Sequence, residues 1–364
     1  MKKTCFYCPE KIFQAGGGAT VAQNVLREYD NGLKNIFIVS NNTVIPEEIE
    51  EKYIVRRIAY PSNKLFSVFY DFFITPLLLF KYRKERLMCL NSIVPLLYPF
   101  HTDVYFQMRM FYFEEFDTLD KKIKNFLGRL SLKKAKNIFV ASEDHKNDLI
   151  KYLKIKSSKI HVAPLGFDFS YEKEKLESNG LKKYPYWLFI SIFRPYKNID
   201  GLIKAYGEIY FKRKDIPNLI LIGDFPANYK EIGFYKKKIM NLIKKYNLEL
   251  KVEFLGLKNH EESMKYLANA QLFIFPSRFE GFGLPILEAM ALKIPIISSS
   301  AHSLAEVGGD CIEYFNPENE WELETKLDDF LINGYSKDIE KANLRSKLFN
   351  WKNTCEIIKS TENK

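Results

Sequence analysis

Apolar residues come along this chain in short bursts, separated by longer stretches in which they recur every three or four positions. The first bursts are TCFYC (Thr4–Cys8), NIFIVS (Asn35–Ser40), YIVRRI (Tyr53–Ile58), RLMCLN (Arg86–Asn91), DVYFQM (Asp103–Met108), NIFVAS (Asn137–Ser142) and KIHVAP (Lys159–Pro164). Runs this short, rich in β-branched and aromatic residues, predict strands. Stretches of helical period, such as Ala19–Gly32 and Asp117–Ala135, lie between them. Strands alternating with helices predict βαβ units and a mostly parallel sheet.

The alternation then breaks. Phe167–Pro185, FDFSYEKEKLESNGLKKYP, is polar, charged and almost free of large aliphatics, and reads as an inter-domain linker. Beyond it the bursts resume at YWLFIS (Tyr186–Ser191), NLILIG (Asn218–Gly223), KVEFLG (Lys251–Gly256), QLFIFP (Gln271–Pro276) and IPIISS (Ile294–Ser299). Helical patterns fill the intervals at Ile199–Lys212, Lys230–Tyr246, Glu261–Ala268 and Pro285–Leu292, and the tail from Glu318 reads as helices. Two doubly wound α/β domains follow, at 1–170 and 171–345, with a last helix at 346–364. Two such domains joined by a polar hinge predict a cleft, with ligands beyond the carboxyl ends of the strands.

Composition narrows the partners. Lys and Arg outnumber Asp and Glu by 55 to 45, a net charge of +10, which favours an anionic partner without choosing among nucleotide phosphates, nucleic acid and an acidic membrane. No zinc spacing, RNA-binding motif or concentrated basic tail supports nucleic acid. The five cysteines (Cys5, Cys8, Cys89, Cys311, Cys355) are scattered and odd in number, which argues against a disulfide framework and for a reducing cytoplasm. Cys5 and Cys8 have C-x-x-C spacing, but they lie along a strand and no second pair follows, so a metal or redox role is not expected. No stretch of signal-peptide character opens the sequence. The longest apolar run, Phe66–Phe80, carries Asp71 and Pro76 and falls short of the ~20 residues of a membrane span, so a buried helix is expected; contact with lipid or a greasy acceptor is the alternative.

Three segments carry chemistry. In FPSRFEGFGLPILE (Phe275–Glu288) a strand ends, a loop bearing Gly281 and Gly283 follows, and Pro285 opens a helix. Proline suits the first helical turn and glycine lets the backbone approach a ligand, which leaves a helix N-terminus fit for an anion. Glu280 and Glu288 bracket the loop. They repel phosphate, yet each carboxylate can accept two hydrogen bonds from sugar hydroxyls. In SIFRPYKN (Ser191–Asn198), Arg194 and Lys197 can neutralise a diphosphate, and Asn198 stands where a helix cap would. In QAGGGA (Gln14–Ala19), Gly16, Gly17 and Gly18 can bring amides to phosphate or to a transferred sugar; the motif is neither a dinucleotide fingerprint nor a Walker loop.

Together these segments resemble the retaining GT-B glycosyltransferases of family four. FRPYKN resembles that family's G-R-x-x-x-K-N element, VEFLG its base-side strand, FPSRFEGFGLPILEAMALKIPIISSS its E-x7-E block, and SLAEVGGD (Ser303–Asp310) the segment that follows. VAPLGFD (Val162–Asp168) resembles the element closing the first domain, and the three glycines its N-terminal loop. The resemblance implies two Rossmann-like domains facing a cleft, with the C-terminal helix crossing back to the first. It also implies transfer of a hexose from a nucleotide sugar to a glycan or lipid-linked acceptor with retention of configuration, without cofactor or metal; consistently, the sequence has no D-x-D pair. It implies catalytic roles for Arg194, Lys197 and Glu280. Arg194 and Lys197 would stabilise the leaving diphosphate with amides around Gly281, Phe282, Gly283 and Leu284. Glu280 would contact the sugar, Glu288 the ribose, and Leu255, Gly256 and Leu257 the base.

One departure stands out. Many relatives carry a histidine after a central strand of the first domain, whereas this chain has Gln107 and Arg109 there; His101 precedes the strand and is expected to be structural. Acceptor choice is expected in the first domain. There Asp117–Asn137 sets Ile123, Phe126, Leu127 and Leu130 among seven basic residues, either as a core helix with a solvated side or as a face toward anionic lipid. A cytoplasmic location, peripheral on the inner face of the cell membrane and serving surface-polysaccharide or lipopolysaccharide synthesis, is the expectation. A nucleotide-sugar epimerase is the alternative on this architecture. A phosphorylase would need a pyridoxal lysine setting that the sequence does not show.

Overall fold

The short apolar bursts form strands because most are buried on both faces, as parallel sheets covered by helices require, while those at Ile54–Ile58, Ile160–Val162 and Val252–Phe254 stay partly exposed. The computed structural model describes residues 2–8, 17–61, 64–90, 94–107, 119–167, 184–226 and 230–362. They divide into two compact units, one of residues 1–166 with 350–364 and one of residues 167–349. The linker reading at Phe167–Pro185 lies almost wholly outside the described residues.

The first unit holds β1 (Thr4–Cys8), β2 (Ile36–Ser40), β3 (Ile54–Ile58), β4 (Arg86–Cys89), β5 (Thr102–Tyr105), β6 (Asn137–Val140) and β7 (Ile160–Val162), ordered β3-β2-β1-β4-β5-β6-β7. Every pairing is parallel; Cys5 sits opposite Ile36 on one side and Leu87 on the other. Cys5, Tyr7, Val104 and Ile138 share one core with Leu79, Leu132 and Leu149. The helices carrying those three leucines therefore cover one face of the sheet. The C-terminal helix Trp351–Ser360 packs against the helix Gly17–Glu28. It is fixed further by Thr354, whose hydroxyl donates to the Pro164 carbonyl at 2.5 Å, and by Arg86, which bonds Thr361 at 2.7 Å and reaches Glu362 at 3.4 Å.

The second unit repeats the plan with β8 (Tyr186–Ile190), β9 (Asn218–Ile222), β10 (Val252–Phe254), β11 (Leu272–Phe275), β12 (Ile296–Ser299) and β13 (Glu313–Phe315), ordered β10-β9-β8-β11-β12-β13. Trp187, Phe189, Ile274 and Ile297 anchor its core against the helices Ile199–Lys212, Lys230–Tyr246 and Glu322–Asn333. The strand order reverses between β8 and β11, the position at which doubly wound sheets hold their ligands.

One expectation about a helix is corrected, and a second, left open, is narrowed. Phe66–Phe80 is not a buried helix. It is a helix (Lys64–Phe69), a π turn (Tyr70–Ile74) and a second helical turn (Thr75–Leu79). Pro76 has no N–H and its ring crowds the carbonyl four residues back, so the ladder loosens just before it. Tyr70, Phe72 and Leu79 turn to the core, while Phe66, Phe69, Phe73 and Leu77 are exposed. In the helix Leu119–Lys134 the residues against the core are Leu132 and, just beyond it, Ala135, whereas Phe126 and Leu130 face outward. Apolar period alone does not say which stripe meets the sheet.

All five cysteines are buried and none is in a disulfide, and burial pushes the Cys5 and Cys89 thiols up. Among the described residues no cluster of His, Cys, Asp and Glu could hold a metal ion, and no helix is long and apolar enough to cross a membrane.

Candidate functional site

Arg194, Lys197, Glu280 and Glu288 follow the two strands that flank the strand-order reversal, β8 and β11. After β8 the chain runs through Ser191–Arg194 into a single 3-10 turn, Pro195–Lys197, then into the helix Ile199–Lys212. After β11 it runs through Pro276–Gly283 into the helix Leu284–Ala291.

The two loops are laced together. The Tyr196 carbonyl accepts from the Arg278 amide at 2.7 Å and from the Ser277 hydroxyl at 3.3 Å. Ser299 of β12 holds the Ser277 carbonyl from the other side. On this frame Lys197 and Glu280 meet as an ion pair, with side chains only 11% and 13% exposed. Lys197 also lies 5.4 Å from the centres of the Phe275 and Tyr196 rings, and the Arg194 guanidinium is 6.0 Å from the Tyr196 ring. Two cations thus share one aromatic neighbour. The Ser303 hydroxyl, fully buried, donates to the Glu280 carbonyl at 3.3 Å and fixes the backbone that carries the carboxylate.

Gly283 begins the second helix with φ 108°, which L side chains rarely adopt, and a Cβ there would lie 2.6 Å from Leu304. Pro285 has no donor, and Ile286 and Leu287 donate to the Gly283 carbonyl. Among the described residues the amides of Gly283 and Leu284 donate to no other atom, which leaves them for an anion at a helix N-terminus. One turn on, Glu288 is largely buried, and burial pushes its carboxyl up to about 7. His260 Nδ1 lies 3.9 Å from Glu288 Oε1.

The role of Asn198 is corrected. It adopts φ 56°, and its side chain makes no capping bond. The left-handed turn directs its amide back over Gly201, where a Cβ would come within 2.5 Å of Asn198 Oδ1. The cap comes instead from Tyr235, whose hydroxyl accepts from the amides of Ile199 and Asp200 at 3.0 and 3.4 Å and donates to Asp200 Oδ1 at 3.0 Å. Burial would raise the Asp200 carboxyl, but the hydrogen bond and charge of Lys238 outweigh it and hold the group below its ordinary range.

Leu255, Gly256 and Leu257 follow β10, beside the loop after β9. The Gly223 amide donates to the Gly256 carbonyl at 3.0 Å, and Leu257 is 73% exposed. Gly223 itself has φ 142°, and a Cβ on it would fall 1.8 Å from the Ser191 carbonyl oxygen. That near-contact ties the β9 loop to the loop carrying Arg194. Phe193, buried beside it, packs edge-on against Phe225 and Phe254.

In the first unit Gly17 and Gly18 open the helix Gly17–Glu28, while Gly16 and Arg109 lie outside the described residues. Gln107 follows β5 and is half-buried, and His101 is exposed before that strand. Sequence reasoning missed Gly223, Tyr235 and Ser303. A glycine closing the burst NLILIG was the one available signal for the first; the other two act across long sequence separations.

Residues 171–347 match the family described as glycosyl transferases group 1. The chain is 28% identical over 232 residues to O-antigen chain mannosyltransferase B of Escherichia coli, covering 61% of this chain and 59% of that protein. It therefore spans about three fifths of that relative's length. It is 27% identical over 294 residues to O-antigen chain mannosyltransferase RfbU of Salmonella typhimurium, covering 78% of this chain and 77% of the other. Among solved structures it is similar to Anabaena Alr3699/HepE in complex with UDP and glucose, with a TM-score of 0.76, full coverage of both chains and 16% identity. That likeness shows the GT-B fold.

Proposed function

For a chain whose residues 171–347 match the group 1 glycosyl transferases, we propose transfer of a hexosyl group from a nucleoside-diphosphate sugar to a glycan or lipid-linked acceptor in the assembly of a surface polysaccharide. The sugar is mannose, as in the names of both curated relatives.

The observation that carries this reading is the buried Lys197–Glu280 pair at the strand-order reversal. A diphosphate placed against the Gly283 and Leu284 amides competes with Glu280 for the Lys197 ammonium. As phosphate takes the cation, the Glu280 carboxylate is released to accept hydrogen bonds from hydroxyls of the sugar. Donor binding thus exchanges one ion pair for two complementary contacts. Arg194, beside the same aromatic ring, adds a second fixed cation. Negative charge grows on the bridging oxygen as the sugar–phosphate bond breaks, and these prepositioned donors stabilise it with little reorganisation. Fixed cations in this role support chemistry that needs no divalent metal or cofactor. Retention of configuration fits a departing phosphate that itself guides the acceptor hydroxyl on the same face. Glu288, as carboxylate, accepts the two ribose hydroxyls, and Leu255–Leu257 border the base.

A thermal-shift panel of UDP, GDP, ADP and their sugars tests the reading. One nucleotide should stabilise the protein strongly, and at a hundredfold excess over its Kd the gain is about 2.7 kcal/mol. The mannose ester of that nucleotide is the donor expected to turn over, with the same rate in EDTA. A protein that no nucleotide stabilises, or whose turnover EDTA abolishes, refutes the assignment or its metal independence respectively.

A further inference from the structure

We propose that the outer surface of one helical layer of the first unit docks on an anionic lipid bilayer, lying in its interface rather than crossing it. The inference stands apart from the donor site, since none of its residues belongs to the second unit. Phe66, Phe69, Phe73, Leu77, Leu78 and Phe80 are between 38% and 76% exposed. Their spacing places them along one side of the helix, π turn and helix described above. Phe66 and Phe69 stack with centroids 6.0 Å apart, and Phe69 and Phe73 at 5.0 Å. Aromatic side chains arrayed in this way form a continuous apolar strip, more than the scattered surface hydrophobes every protein shows.

The strip continues into its neighbours. Phe80 contacts Phe100 at 5.7 Å, and Lys134 donates to the Leu96 carbonyl at 2.7 Å. Leu97, 56% exposed, sits between those two contacts, and the helix bearing Lys134 exposes Phe126 and Leu130. Leu79 and Leu132 enter the same core, so both helices cover the same face of the sheet and turn their other sides outward together.

Charge selects the occupant. Lys81, Arg83, Lys84, Lys122, Lys133 and Lys134 are exposed along this layer. The Arg83 guanidinium lies 5.1 Å from the Phe80 ring, at the border of apolar and wet surface. Among the described residues, three acids nearby are spent or set aside. Asp71 is buried and accepts twice from Tyr60 at 2.8 Å, Glu85 is half-buried, and Glu143 pairs with Lys146 at 3.1 Å. Apolar side chains ringed by Lys and Arg match acyl chains beneath anionic headgroups. A second copy of this basic face would meet it with like charge.

The full chain should co-sediment with vesicles of phosphatidylcholine containing phosphatidylglycerol, and much less with phosphatidylcholine alone. Phe69→Ser with Leu77→Ser should weaken that binding about tenfold or more, and Lys122→Ser with Lys133→Ser about tenfold. Phe69→Trp supplies a probe that does not depend on lost binding: its emission should blue-shift with anionic vesicles and be quenched by brominated acyl chains. The nucleotide thermal shift should be the same in all these variants, which separates failure here from failure of the donor site. An unmoved Phe69→Trp emission, vesicle binding indifferent to both pairs of substitutions, or a serine pair that alters only self-association overturns the proposal.

Discussion

The two units share one winding and use it differently. Each sheet grows outward from a central pair, β1 and β4 in the first and β8 and β11 in the second, with all strands parallel. In the second unit the loops leaving that pair are short, stitched together through the Tyr196 carbonyl and loaded with charge. In the first, the conspicuous surface lies on the side of the sheet, where helices turn aromatic and basic residues outward. The winding places a strand-order reversal in both units, and the residue types on the loops there decide whether it can hold an anion.

The largest break in that contrast should come from Lys197→Ala. It removes a donor to the departing phosphate and leaves Glu280 half-buried without its cation. Loss of one prepositioned charge donor costs kcat roughly 100- to 1000-fold, about 3–4 kcal/mol. Single-turnover measurement with saturating donor checks it. A variant within threefold of the parent would detach the ion pair from the chemistry. No substitution of exposed Phe or Leu in the first unit should approach this effect with a water-borne acceptor.

Backbone crowding sharpens the comparison next. Gly223→Ala forces a Cβ against the Ser191 carbonyl at a φ that alanine resists, and should destabilise the second unit by about 3 kcal/mol or more. Denaturant unfolding with an assigned signal from Trp187, fully buried in that unit, reads it. A neutral result would mean that the β8 and β9 loops separate easily.

Glu288 gives a pH signature. Its folded pKa, raised from 4.5 to about 7 by burial, means that the native state holds a proton that the unfolded state has lost between those values. Stability from this group is therefore present below pH 4.5 and falls as pH rises toward 7, by up to about 3 kcal/mol. Glu288→Gln should flatten that slope and stabilise the free protein at pH 8. Nucleotide binding should respond oppositely, strengthening from pH 6 to 8 in the parent as the carboxylate that accepts ribose hydroxyls forms. The glutamine variant should show neither trend. Titrations that matched in parent and variant would remove Glu288 from the ribose.

Much of this was legible in the sequence, for identifiable reasons. The helices Ile199–Lys212 and Lys230–Tyr246 have strong period and clear ends, and their limits are those the pattern gave. Lys197 and Glu280 could be marked because glycine, proline and charge follow predicted strands at the ends where ligands bind. Contacts across sequence were not legible. Period could not tell which side of Phe66–Phe80 meets the sheet, because both sides are apolar. Asn198 reads as a cap by residue type, and only its left-handed backbone reveals that it is not one. Ser303 and Tyr235 work through the fold alone.

Tyr235 offers the smallest effect and the finest discrimination. Its hydroxyl reaches across 36 residues of sequence to the amide of Ile199, at the start of the helix that follows Lys197. Tyr235→Phe keeps the ring, which is packed in the core, and deletes one acceptor for two amides and one donor to Asp200. Lys238 still pairs with Asp200, so the carboxylate keeps a partner and the loss is that of a helix cap, about 1 kcal/mol. If the cap only stabilises the helix, melting shifts and donor affinity stays. If it also holds the turn Pro195–Lys197 in place, KM for the donor rises severalfold at unchanged kcat. Restoring stability by a substitution elsewhere in the second unit would then leave the KM defect intact, which marks Tyr235 as a positioning residue for the cations rather than a strut for the core.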